Sequence, residues 1–141
     1  MYCLDRNMRL LSTLGAMAAR GWLVAREKNL FCFGMGFTAQ ALIWQLGGRG
    51  WAISGTSRDG AGGTMTFSRE QPLTDPVAVL ARATHVLLSI PPDDDGDPVL
   101  ACHGADLAAL PNLRWLGYLS TTGVYGDRGG GWVDEETPPA P

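Results

Sequence analysis

"LFCFGMGFTA", residues 30–39, is the stretch on which the fold turns. Leu30–Phe33 is a short apolar run ending at a glycine, the pattern of a strand buried on both faces. Gly34, Gly36 and Ala39 follow in the spacing G-x-G-x-x-A. "FTAQALIWQL" (37–46) then sets Ala39, Leu42, Ile43 and Leu46 at helical spacing, with Gly47-Gly48 as the stop. In this order the backbone can cradle a diphosphate. The first glycine permits a tight turn and the second keeps a side chain out of the anion's path. The alanine lets the helix pack closely, and the helix N-terminus offers free N–H groups. The expected cofactor contacts are Gly34, Met35, Gly36, Phe37, Thr38 and Ala39. Glycines that serve a tight turn alone are the other reading.

Outward from this stretch the alternation continues. "WAISGT" (51–56) reads as a second strand, "TMTF" (64–67) as a weaker third, and "THVLLSI" (84–90) as a fourth. "LRWLGYLS" (113–120) has the look of a fifth strand in the core. Asp75-Pro76 and Asp97-Pro98 each set a capping carboxylate before a proline in a first helical turn. The first of these helices would bury Val77, Leu80 and Ala81, and the second would run to about Ala109. The segment between the second and third strands is short for a helix. Strands alternating with helices imply parallel pairing. The expected fold is α/β, a doubly wound parallel sheet of the dinucleotide-binding Rossmann type over residues 29–141, incomplete at its C-terminal end.

Ligands of such sheets lie at the carboxyl ends of the strands. The second strand ends "GTSRD", with Ser57 and Arg58 at 21 and 22 residues beyond Gly36. An Asp or Glu at this place meets a free ribose diol, whereas arginine with small hydroxyls suits a 2′-phosphate. NADP(H) is therefore favoured over NAD(H), and Asp59 keeps the second open. The fourth strand ends in Ser89, Ile90 and Pro91, where Pro91-Pro92 stiffens the chain beside an expected adenosine. Ser89 either faces the cofactor or caps the strand end.

Composition limits what else the chain can be. Apolar residues make up 45% and charged ones 18% of 141, which suits one globular domain. A net charge of -3 argues against nucleic acid or an anionic membrane as partner. Cys3, Cys32 and Cys102 have no C-x-x-C spacing and read as reduced, packed residues. Cys102-His103 lacks a second ligand pair for zinc. "DDDGD" (93–97) fails the calcium-loop pattern, since Pro91 and Cys102 would occupy the first and closing ligand positions. No apolar run reaches the roughly 18 residues of a membrane span, and the cytoplasm is the expected location. Residues 1–28 form a leader without an interpretable role. Arg6 and Arg9 before "LLSTLGAMAA" weakly imitate a signal peptide, yet Leu10, Leu14, Met17 and Ala18 are spaced for a helix face. A docked helix or an over-extended reading frame is the preferred explanation.

"STTGVYGDRGGGWVDEETPPAP" (120–141) resembles the extended short-chain dehydrogenases/reductases, which include nucleoside-diphosphate-sugar epimerases and dehydratases. In them a hydroxyl-rich strand end precedes Val-Tyr-Gly, then an acidic segment and Thr-Pro. The resemblance covers residues 30–141 and implies a catalytic role for Thr121, flanked by Ser120 and Thr122, in hydrogen-bonding the reacting oxygen of a small-molecule substrate such as a sugar nucleotide. A hydroxyl suits that work because it can donate to a carbonyl and accept from an alcohol. Alternatively, Thr121 satisfies backbone at the strand end. Tyr125 is expected to pack, and Trp132 to anchor an otherwise exposed loop. The chain departs from the family where Phe33 replaces an earlier glycine, and no Tyr-x-x-x-Lys occurs; its tyrosine would fall near position 146.

Two functions follow as expectations. The first is the cofactor-binding portion of an oxidoreductase or sugar-nucleotide epimerase/dehydratase, nearly inert without the Tyr-Lys pair. The second is a non-catalytic NAD(P)-binding sensor or scaffold. A β-hydroxyacid-type dehydrogenase fragment ranks below both. An incomplete sheet also predicts self-association through its uncovered edge.

Overall fold

The computed structural model describes residues 27–140, so the leader expected over 1–28, with Cys3, lies almost wholly outside the described residues. Five strands, β1 (Lys28–Phe33), β2 (Trp51–Ser57), β3 (Met65–Thr66), β4 (His85–Leu88) and β5 (Trp115–Tyr118), form one sheet in the order β3-β2-β1-β4-β5. Every pairing is parallel. Among the described residues three helices, α1 (Phe37–Leu46), α2 (Pro76–Leu80) and α3 (Pro98–Ala108), connect them. The fold is thus α/β with an all-parallel, Rossmann-like sheet, as the alternation requires. The strand order reverses between β1 and β4, which places a crevice at their carboxyl ends.

The pleat explains why β1 is apolar throughout. Leu30 and Cys32 point to one face, where they pack with Leu87 and with Ala39, Leu42 and Leu46 of α1. Phe31 and Phe33 point to the other, against Val86, Leu88, Leu80 of α2, and Val99 and Leu107 of α3. Helices therefore cover both faces. Phe33 stands at the centre of the second cluster, edge-on to Phe31 at 5.0 Å and to Phe67 at 5.3 Å. Burying each such ring contributes about 2–3 kcal/mol.

Both predicted caps form. The Asp75 carboxylate accepts from the Ala78 amide at 3.0 Å, and that of Asp97 from Leu100 at 2.8 Å. Only Leu80 of α2 is buried; Val77, expected inside, is 69% exposed because the helix lasts five residues and turns that side outward. Between β2 and β3 there is a single 3-10 turn, Ala61–Gly63.

The fifth strand corrects its expectation. It is four residues long and lies at the sheet edge, so Trp115, Leu116, Tyr118 and Leu119 are exposed. Its apolar run reads as core because the pattern alone cannot tell a covered strand from an uncovered one.

A glycine turn at the meeting of three strands

The Gly34–Gly36 turn leaves β1 at the point where three strands end. Gly34 has φ +89°, and a Cβ there would lie 2.8 Å from Cγ1 of Ile90, so this position needs glycine for the protein's own sake. Its amide donates to Thr56 Oγ1 at 3.1 Å, and the Met35 amide donates to the Thr56 carbonyl at 2.7 Å. Thr56 is fully buried. Gly55, beside it, lies so close to the Cys32 carbonyl and the Met35 side chain that no Cβ fits. On the other flank the Ser89 amide donates to the Phe33 carbonyl at 2.9 Å. The turn is thereby stitched to β2 by Thr56 and to β4 by Ser89 and Ile90.

Gly36 differs from Gly34 in every respect. Its φ is -77°, open to any residue, and a Cβ built on it meets nothing within 4 Å. It occupies the N-cap of α1, and among the described residues no side chain caps that helix. Gln40 donates back to Gly36 as the first intrahelical bond, at 2.9 Å, so the amides of Phe37, Thr38 and Ala39 precede it. Ala39 is buried against the sheet, while Phe37 is 91% exposed. Gln40 Nε2 donates to the Met35 carbonyl at 2.9 Å, bracing the turn from outside. The result is an exposed turn whose amides, unpartnered among the described residues, stand at the positive end of a helix, an arrangement suited to an anion.

At the end of β2, Ser57 and Asp59 are committed to their own loop. The Ser57 hydroxyl bonds Asp59 Oδ1 at 2.9 Å and Thr64 Oγ1 at 2.7 Å, and Asp59 Oδ1 accepts from the Ala61 amide at 3.1 Å. These bonds, the Ala61 amide foremost, hold the Asp59 carboxyl below its ordinary range. Arg58 is exposed and makes no ion pair among the described residues.

Ser120, Thr121 and Thr122 are exposed beyond β5, whose end is tied to β4 by the Leu119 amide donating to the Leu88 carbonyl at 2.9 Å. Thr121 Oγ1 accepts from the Gly123 amide at 3.1 Å and caps the turn Thr122–Tyr125. The alternative reading of Thr121 as a backbone-satisfying residue thus describes one of its lone pairs, and its proton stays available. Among the described residues no hydrogen bond joins this cluster to the glycine turn. Trp132, expected to anchor the following loop, is fully exposed. The loop is instead closed by Arg128, which donates to the Tyr125 and Pro138 carbonyls.

Sequence reasoning missed Thr56, Gln40 and Met35's part in holding the turn. Thr56 sits within the quoted "GTSRD", but its inward direction depends on the β1–β2 register, in which Gly55 faces Cys32. A cleft of about 240 Å³ lies elsewhere, between β1, β2 and α2, lined by Phe31, Ser54, Val79 and Arg82 among others. None of the turn residues lines it. Among the described residues no helix is long and apolar enough to cross a membrane. Cys32 is buried and its thiol is pushed up to about 11 by that burial; Cys102 is half-buried and also free.

No protein-family model matches this chain, and no curated protein does. Among solved structures it is similar to a functionally unknown conserved protein from Silicibacter pomeroyi DSS, with 45% sequence identity and a TM-score of 0.63. The match covers 81% of this chain and 42% of that one, so the chain spans less than half the length of its structural neighbour. That likeness supports the fold and carries no activity with it.

Proposed function

We propose that this chain binds a pyridine dinucleotide across the carboxyl ends of β1, β2 and β4, with NADP(H) favoured over NAD(H). The observation that carries the reading is Gly36. Neither its backbone angles nor its neighbours ask for a glycine, and what it leaves open faces the uncapped start of α1. A diphosphate seated there would give both features a purpose. In this reading the amides from Gly36 to Ala39 hold the diphosphate, and Ile90 and Pro91 wall the adenosine. Arg58 meets the 2′-phosphate, because Asp59 is already engaged by Ser57 and Ala61.

When bound, the dinucleotide supplies the carbon that gives or takes hydride. Thr121 would donate its free proton to the substrate oxygen, and its pose is set by the Gly123 amide. The resemblance to epimerases and dehydratases makes a sugar nucleotide the substrate class. In the family that the chain resembles, a Tyr-x-x-x-Lys pair moves the proton beside this hydroxyl, and such proton transfer supplies on the order of 10²–10⁴ in rate. A non-catalytic NAD(P)-binding module is the second reading, favoured by the use of Thr121 as a local cap.

Fluorescence titration with NADPH and NADH tests the first claim. Saturable binding with NADPH tighter is expected, and Arg58→Ala should erase the preference. A folded protein with affinity for neither dinucleotide overturns it. Hydride exchange with sugar nucleotides then separates the enzyme reading from the binding module.

A further inference from the structure

The loop that follows β4 is held by a device outside the glycine turn. Arg69, on the segment after β3, donates from Nε to Asp93 Oδ2 at 3.0 Å and from Nη2 to Asp93 Oδ1 at 2.6 Å. The same Nη2 donates to the Gly96 carbonyl at 3.0 Å. Asp93 and Gly96 exchange both backbone hydrogen bonds, at 3.0 and 2.9 Å, so Arg69 grips a closed turn from both of its ends. We propose that Arg69 is a positioning residue for the adenosine half of the dinucleotide site, acting through the 93–96 turn on Ile90 and Pro91. This inference rests on the dinucleotide reading.

The route is short and stiff. Ser89 is tied to Phe33, two prolines occupy positions 91 and 92, and the gripped turn begins at Asp93. Prolines fix φ, so few torsions remain free between the turn and Ile90. Ile90 in turn lies against Gly34, close enough that a Cβ there would meet it at 2.8 Å. Beyond the turn, the Asp97 cap fixes the loop to α3. The mount of Arg69 is equally rigid. Phe67 and Leu73 on either side are buried, and the Leu73 amide donates to Nε2 of the buried His103 at 3.1 Å. Cys102 Sγ donates to the Arg69 carbonyl at 3.9 Å. A two-pronged guanidinium fork is what this geometry uses, and a lysine cannot reproduce it.

The test compares wild type with Arg69→Met and Arg69→Lys, using NADPH, adenosine 2′,5′-bisphosphate and nicotinamide mononucleotide as separate probes. Both variants should bind NADPH and the bisphosphate about fivefold more weakly, with the mononucleotide unchanged. Amide hydrogen exchange at residues 93–96 should rise in both without added ligand. Unchanged NADPH affinity in a folded variant, rescue by Arg69→Lys, or equal loss for both half-ligands overturns the inference. Wild type that binds none of the probes overturns the dinucleotide reading, and with it the assignment of Arg69 to that site. The exchange measurement would still report whether the clamp exists.

Discussion

Replacing Gly36 with aspartate should separate folding from binding in one protein. Aspartate is among the best N-cap residues, and Gly36 already has the extended backbone that a cap adopts, with free space around its Cα. The new carboxylate would accept from the unpartnered amides and lie at the positive end of α1. The expected gain is several tenths to about 1 kcal/mol, or up to about 4 °C in Tm. A diphosphate would meet a negative charge about 5 Å away at an exposed position. Between the dielectric of water and one near 20 that repulsion is about 1–3 kcal/mol, roughly five- to a hundredfold in Kd. Thermal unfolding and NADPH titration at low salt read the two effects on one sample. Affinity within about threefold of wild type would refute the assignment of the anion to this turn. A lower Tm would refute the description of the α1 N-terminus as open.

Other perturbations should behave differently. Gly34→Ala forces a side chain into φ +89° and toward Ile90, so urea unfolding should show a loss of about 1–3 kcal/mol, in contrast to Gly36→Asp. Thr56→Val keeps the shape but leaves the Gly34 amide without its acceptor, which should cost about 1–3 kcal/mol and loosen the turn. The Arg69 hydrogen bonds hold Asp93 below the ordinary carboxylate value. A depressed carboxyl stabilises the fold above its unfolded pKa and loses that contribution as pH falls through the folded value. Amide protection at Asp95 and Gly96, taken as exchange relative to the intrinsic rate at each pH, should therefore fall on acidification through and below the normal Asp range, and stay level above it. The uncovered edge at β5 should drive self-association of this polypeptide at micromolar concentrations, and Leu116→Lys should shift it toward monomer in sedimentation velocity. A wild-type monomer at all concentrations would contradict this.

What could be read from sequence divides along the range of the interactions involved. The glycine turn, both Asp-Pro caps and the parallel alternation are local, so the residues that determine them are neighbours in the chain and their spacing suffices. Thr56 on Gly34 spans 22 residues, Arg69 on Asp93 24, and His103 on Leu73 30. Such pairs depend on register and on loop paths that no periodicity encodes. The same limit explains β5. Trp115, Leu116 and Leu119 satisfy the apolar pattern of a covered strand, but whether anything covers them depends on polypeptide packed from elsewhere. It also explains why the two glycines of one motif look alike in sequence. Gly34 is required by Ile90, a residue 56 positions away, whereas nothing among the described residues requires Gly36. One motif thus holds a glycine that the fold demands and a glycine that it does not, and spacing alone cannot tell the two apart.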